Sequence, residues 1–388
     1  MEVKEKVVID NLKIQAEKQK PVHNVGIEVL RIISMFMVVI LHCLGHGGVL
    51  NSTAKLSVNN NLSWLLEIAC YCAVDCYALI TGYVCAKSKH KLARIVELWL
   101  EVLFYTVLVT IGFKIFSSDT VGLKDLIKAF LPVMSKQYWY FSSYFCLFFF
   151  IPVLNLIVTK STKRQNQFLI LTITIIFCVV GLLASYLGGD VFSIYGGYSF
   201  LWLAVLYIIG AYIKIYGFFT SKINKDYFLL SYLICVLLVW LSKIVISLVT
   251  LRIFGSIKGS ELLIAYNSPL ILLAAISLLL YCSQLKIKRG VKILTEISSV
   301  SFGVYLISEQ NFIKENFIVN KFIKYTSLPW YLMIGHVVLG AITIYICCSL
   351  IDYCRKWLFK WIHIRQICGK FELQLQKLIN SNCNSKLN

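Results

Sequence analysis

Three ionisable residues stand inside one apolar run, "VHNVGIEVLRIISMFMVVILHCLGHGG" at 22–48: Glu28, Arg31 and His42. Successive residues of an α-helix are about 100° apart, so Arg31 and His42 fall within roughly 20° of one face and Glu28 within about 40° of the histidine. They form one polar stripe, running roughly 16 Å from Arg31 to His42. A histidine is the side chain best suited to take a proton near neutral pH. An arginine holds phosphate or carboxylate groups through paired hydrogen bonds, and Glu28, three residues before Arg31, is in reach of a local ion pair. Each residue has a plainer reading alone, Arg31 as a snorkelling anchor and His42 as a satisfied polar residue near the outer interface. On one stripe they favour a polar cavity, because charges inside a membrane are costly and usually face a bundle interior or water. The chemistry suggested is a cavity entered from the cytoplasm, binding an anionic donor, with a base at its far end.

The elements that must position this stripe are membrane helices. The 388 residues are 59% hydrophobic and 15% charged, with a mean hydropathy of +0.76, outside the range of an ordinary soluble domain. A bilayer core needs about 20 apolar residues per helix. Ten such segments are predicted, at 25–45, 62–86, 95–116, 138–158, 166–187, 199–216, 227–249, 266–283, 297–318 and 330–352. The ninth is interrupted by Glu309, Lys314 and Glu315. The fold expected is an all-α polytopic bundle with both termini cytoplasmic. It divides into a basic N-terminal segment (1–24), a transmembrane domain (25–352) and a cytoplasmic amphipathic basic tail (353–388). Its place is a cell membrane, plasma or inner.

Orientation follows from the basic loops. Lys13, Lys18 and Lys20, "KSKHKLAR", "KSTKR", "KIKRGVK" and "RKWLFK" fall on one side, and the Gly-, Asn- and Ser-rich loops "GHGGVLNSTAKLSVNNN" and "GGDVFSIYGGYS" on the other. One outer loop, 117–137, carries Lys124, Lys128 and Lys136, and its pattern "LKDLIKAFLPVM" suggests a helix lying in the interface. A cleavable signal peptide is not expected, since the first run is long and contains Glu28 and Arg31. The net charge of +19 is a topology signal, not a nucleic-acid footprint, because no basic face joins exposed aromatics on a soluble module. Most of the 14 cysteines lie in apolar runs, where they act as small packing residues; no metal and no structural disulfide are expected. Tyr138, Trp139 and Tyr140 read as an interfacial aromatic belt more readily than as a sugar platform. Asp75, mid-helix with no local cation, either faces the same cavity or is neutral, and in the first case can pair with His42 and set its tautomer. Glu67, Glu97 and Glu101 receive no role.

The opening stripe resembles the first helix of the membrane-bound acyltransferase family 3, with its acidic residue, Leu-Arg and a histidine after ten intervening residues, here Glu28, Leu30, Arg31 and His42. Further stretches resemble the family in order: "AVDCYALITGYV", "YWYFSSYFCLFFFIPVLN", "GYSFLWLAVLYIIGAYI", "YNSPLILLAAISLLLY" and "SFGVYLI". Together they cover about residues 24–352. The chain also departs from the pattern. Thr81 and Tyr83 replace serine and phenylalanine, Ser308 and Glu309 stand where many relatives have a histidine after "GVYLI", and Lys91 with Arg94 replaces a pair of arginines.

The resemblance implies an O-acyltransferase that moves an acyl group, most often acetyl, from acetyl-CoA or another acyl-CoA to a sugar hydroxyl of a cell-surface glycan or its lipid-linked precursor. In that reading His42 is the general base, Arg31 orients the donor, Glu28 fixes the arginine's fork, and Lys91 and Arg94 hold the coenzyme's phosphates unless they serve only as positive-inside anchors. The rival class is a transporter or flippase of a glycan lipid, which predicts paired broken helices in two related halves; no such symmetry is visible. The lean toward Lys, Ile and Asn suggests an AT-rich bacterial source.

Overall fold

The computed structural model describes residues 24–117, 121–135, 137–217 and 223–384, with side chains to Leu378. Lys13, Lys18, Lys20 and Lys136, and with them most of the basic N-terminal segment, lie outside the described residues. Within them every regular element is a helix. The α-helices longer than four residues are, in chain order, α1 (Val25–Leu44), α2 (Val58–Tyr71), α3 (Ala73–Cys85), α4 (Leu92–Phe116), α5 (Leu123–Phe130), α6 (Trp139–Lys160), α7 (Lys163–Thr174), α8 (Gly181–Tyr186), α9 (Phe200–Tyr216), α10 (Lys225–Phe254), α11 (Pro269–Ser283), α12 (Val291–Ser308), α13 (Asn311–Phe317), α14 (Trp330–Trp361) and α15 (Ile364–Asn384), with a π-helical stretch, Ile175–Val180, joining α7 to α8. Among the described residues eight spans are long and apolar enough to cross a membrane, and α9 and α11 are shorter apolar helices. All ten expected segments are therefore helical. On α10, Leu230, Leu233, Leu237 and Leu241 remain exposed, as helices do when their outer faces meet lipid tails instead of water.

Two segments differ from the sequence reading. The second is broken at Cys72 into α2 and α3. The ninth begins earlier and ends earlier than 297–318, because α12 stops at Ser308 and Gln310 starts a separate helix by accepting a hydrogen bond from the Ile313 amide at 3.1 Å. Glu309 and Lys314 thus leave the membrane helix altogether, which relieves the charge problem that interrupted the ninth segment. The expected helix in the 117–137 loop is α5, tethered where the Thr106 hydroxyl donates to the Ala129 carbonyl at 2.6 Å. Beyond residue 352, α14 continues unbroken to Trp361 and α15 follows, its Glu372 accepting from the Leu92 amide at the start of α4.

Helices α3 and α9 cross at close range. A Cβ on Gly82 would lie 2.1 Å from the Tyr207 carbonyl oxygen, and one on Gly210 would lie 2.1 Å from that of Leu79. Close approach of this kind suits a membrane bundle, where packing replaces the hydrophobic drive between helices. At the end carrying the basic loops, Asn24 ties α1 to α11 by donating to the Ser283 carbonyl at 2.8 Å. At the other end, the Asn320 and Phe322 amides donate to the His46 and Gly47 carbonyls, so the segment after α13 closes over the end of α1. Near the basic end of α14, Arg355 donates to both oxygens of Asp352 and to Glu101, and the Tyr105 hydroxyl donates to Asp352. This gives Glu101 a structural partner.

The glycine crossing yields a test. Gly82→Leu or Gly210→Leu must push α3 and α9 apart, with an overpacking cost of at least about 1–3 kcal/mol. The expected result is a lower unfolding temperature of the detergent-purified protein and less of it in the membrane, read by fluorescence-detected size exclusion after heating.

Candidate active site

The end of α1 meets the end of α12 around a cavity of about 310 Å³. Its wall holds Met35, Val38, His42 and His46 from α1 and the turn after it, Glu67 and Tyr71 from α2, and Val74 and Tyr77 from α3. Trp139 and Tyr140 from α6, Tyr198 and Tyr266 from loops, and Phe302, Tyr305 and Glu309 at α12 complete it. The lining is mostly aromatic with a few convergent polar groups, the usual character of a small-molecule site.

His42 is flanked at both ring nitrogens. Its Nδ1 lies 3.5 Å from the Ser308 hydroxyl, and its Nε2 lies 3.3 Å from Glu309 Oε2. The same carboxylate oxygen is 3.5 Å from His46 Nε2. These separations are long for formed hydrogen bonds, and among the described residues Oε2 has no partner that meets full bonding geometry; they are close polar contacts. The other oxygen of Glu309 is firmly held, accepting from Lys314 Nζ at 2.6 Å. Helix α13 therefore places an ammonium behind the carboxylate and leaves its free oxygen toward both imidazoles.

At the far end of the stripe, Arg31 Nη1 donates to both Glu28 oxygens at 3.1 and 3.0 Å, and the Ser298 hydroxyl donates to Glu28 from α12. The expected pair between Glu28 and Arg31 is present. The two ends of the stripe are joined through Tyr77, which lines the cavity and donates its hydroxyl to the Arg31 carbonyl at 2.9 Å. The Arg31 and Arg94 guanidiniums both lie within electrostatic reach of Cys85 and Tyr144, so the basic end of the stripe has a second cation near it. Arg94 itself is exposed and also lines a larger cavity of about 750 Å³ with Glu97, Arg355, Lys356 and Arg365. Lys91 is the exposed residue that precedes α4, and it is not part of either cavity wall.

Asp75 is placed differently from the pairing with His42 open to it in the sequence. It is fully buried and accepts from the Trp202 indole at 3.0 Å. Val74 and Tyr77 face the cavity, and Asp75, about 100° further round the helix from Val74, turns toward α9. The carboxylate beside His42 is Glu309 instead. The aromatic trio is likewise no lipid-facing belt: Tyr138 is buried and donates to the Leu306 carbonyl at 2.8 Å, while Trp139 and Tyr140 line the cavity. His46, Ser308 and Lys314 had no assigned part in the sequence. Their signal was the position of Ser308 and Glu309 directly after "GVYLI", where the family pattern has a histidine.

His42, His46 and Glu309 bring metal-ligand atoms within 4.8 Å of one another. The donor set alone fits a transition metal, but Lys314 lies on the same carboxylate, and its positive charge opposes a divalent cation there. The cluster fits proton handling better.

The geometry is a histidine between a hydroxyl and a clamped carboxylate, at one end of a polar path with an arginine at the other. The family model described as an acyltransferase domain, the acyltransferase-3 family, matches residues 24–353. No curated protein and no solved structure matches the chain. With 24–353 covering most of its length, the chain belongs to the acyltransferase-3 family and is a multi-pass membrane acyltransferase.

Proposed function

We propose that this acyltransferase moves an acetyl group from acetyl-CoA to a sugar hydroxyl of a cell-surface glycan or its lipid-linked precursor, in the cell membrane. The observation that carries the reading is the polar stripe of α1, whose base end opens into an aromatic cavity while its arginine end lies near a second cation. Membership of an acyltransferase family favours transfer over transport of a glycan lipid.

An alcohol attacks a thioester slowly until its proton is removed. With hydrogen on Nε2 facing Glu309, neutral His42 presents its Nδ1 lone pair beside Ser308, where it takes the acceptor proton. The acceptor oxygen forms the new ester bond at the thioester carbon, the carbon–sulfur bond breaks, and the imidazolium returns its proton to the departing thiolate. Glu309 stabilises that transient imidazolium and holds the tautomer, and Lys314 holds Glu309. Arg31, its fork fixed by Glu28, orients the coenzyme's polar arm, and Arg94 with Lys91 meets its phosphates through charge. Asp75 supports the wall through Trp202 and has no part in the proton path.

Membranes given labelled acetyl-CoA, with the label followed into alkali-labile ester on glycan, test this reading. His42→Ala is expected to abolish transfer, a loss of at least about 100-fold, with normal amounts of protein in the membrane; an active His42→Ala enzyme defeats the general-base role. Arg31→Lys is expected to raise the KM for acetyl-CoA, because a point charge replaces the planar fork. Wild-type kcat/KM should fall as pH is lowered and His42 becomes charged, since only the neutral imidazole accepts a proton.

Glu309→Gln separates positioning from catalysis. It keeps the shape of the side chain and removes the charge facing the imidazoles, so kcat is expected to drop by roughly tenfold or more, with the acetyl-CoA KM unmoved and the pH profile shifted. An unchanged kcat and pH profile would remove Glu309 from the mechanism.

A further inference from the structure

The wall of the His42 cavity contains one acid that the mechanism leaves idle. Glu67 on α2 is only 7% exposed, its Oε2 is sealed from solvent, and that oxygen has no hydrogen-bond partner among the described residues. Buried polar groups are nearly always partnered, because an unmet one costs free energy. Glu261 is a like charge within electrostatic reach of Glu67, and the side chain lines the cavity. A hydroxyl of the cavity's occupant is placed to supply the partner it lacks.

Beside Glu67 the wall is a continuous aromatic surface gathered from four separate parts of the chain. Tyr71 stacks on Tyr266 with ring centroids 4.8 Å apart and planes 27° from parallel. Tyr266 lies 4.9 Å from Tyr198, and Trp139 lies 4.6 Å from Tyr198 with its plane 23° from that of Tyr266. Tyr266 is set by its amide, which donates to the Gly196 carbonyl. A pyranose has one face of C–H groups and an equatorial rim of hydroxyls, so it matches an aromatic surface with a carboxyl at its edge. The cavity is at the small end of ligand sites, ~300–1,000 Å³, which suits one ring.

Charge narrows the class further. Besides tyrosines, the ionisable residues of the lining are His42, His46, Glu67 and Glu309, with no lysine or arginine among them. A sugar carrying a carboxylate would give up its hydration beside the Glu309 carboxylate, against a wall that offers it no lysine or arginine, and such unfavourable elements are how sites reject analogues.

We propose that Glu67 and the surface formed by Tyr71, Trp139, Tyr198 and Tyr266 are the acceptor subsite, and that it takes a neutral sugar ring and rejects a uronate. Glu67 bonds a hydroxyl next to the one that His42 deprotonates, and the aromatic surface sets which hydroxyl that is. This rests on the reading of the enzyme as a glycan acyltransferase.

The test uses the full chain in lipid nanodiscs, labelled acetyl-CoA, and a panel of methyl glycosides of neutral hexoses, N-acetylhexosamines and uronic acids. Wild type is expected to acylate at least one neutral glycoside and to leave its uronate counterpart unlabelled. Glu67→Gln and Trp139→Ala are expected to raise the acceptor KM by roughly tenfold, with the acetyl-CoA KM unmoved. Equal labelling of hexose and uronate overturns the proposal, as does an acceptor KM unchanged in both variants. If Glu67→Gln does not reach the membrane, Trp139→Ala and the wild-type discrimination decide. A wild type that releases coenzyme A from acetyl-CoA yet labels no sugar in the panel defeats the glycan reading itself, and the subsite with it.

Discussion

The site depends on the carboxylate of Glu309. One oxygen is held by Lys314 at 2.6 Å and the other faces His42 and His46, so a residue just past the end of α12 joins three parts of the chain. Without the ammonium, a carboxylate in so confined a place would have to bear its desolvation cost alone. With it, the free oxygen can stay charged toward the imidazoles and favour their protonated form at the moment a proton arrives. The ending of α12 at Ser308 and the short helix α13 that brings Lys314 back are thus parts of the same device.

The same rule of pairing runs through the bundle. Glu28 is held by Arg31 and Ser298, and Asp352 and Glu101 are held by Arg355. In a low-dielectric interior such partners are what make ionised side chains tolerable. Removing one member of a buried pair commonly costs about 3–5 kcal/mol, because the other is left uncompensated. Against that background Glu67, whose buried Oε2 has no bonded partner among the described residues, stands out.

The cavity owes its shape to two backbone features. The break at Cys72 divides a span into α2 and α3, which lets Glu67 and Tyr71 from one half and Val74 and Tyr77 from the other meet the same space. The contact of α3 with α9 through Gly82 and Gly210 fixes α3 against Trp202, and so decides that Asp75 turns away from His42. A lateral shift of α3 would move both the cavity wall and the Asp75 bond.

What the sequence alone determined is what depends on local periodicity and chemistry. Ten apolar segments, the stripe of Glu28, Arg31 and His42 on one helical face, and the local pair of Glu28 with Arg31 all follow from a repeat of 3.6 residues and from the length of a membrane span. What it left open depends on which helices face each other. Asp75 and Glu309 are both acids inside apolar runs, and no local pattern says which one reaches His42; that was decided by the early end of α12 and by Trp202 on α9. Tyr138, Trp139 and Tyr140 read more readily as a belt than as a sugar platform, because an aromatic run carries no mark of whether lipid or a cavity lies beside it. Glu67 gained a meaning only when three distant stretches of chain closed round it and Tyr71, since a missing hydrogen-bond partner is a property of packed space and has no counterpart in a linear sequence.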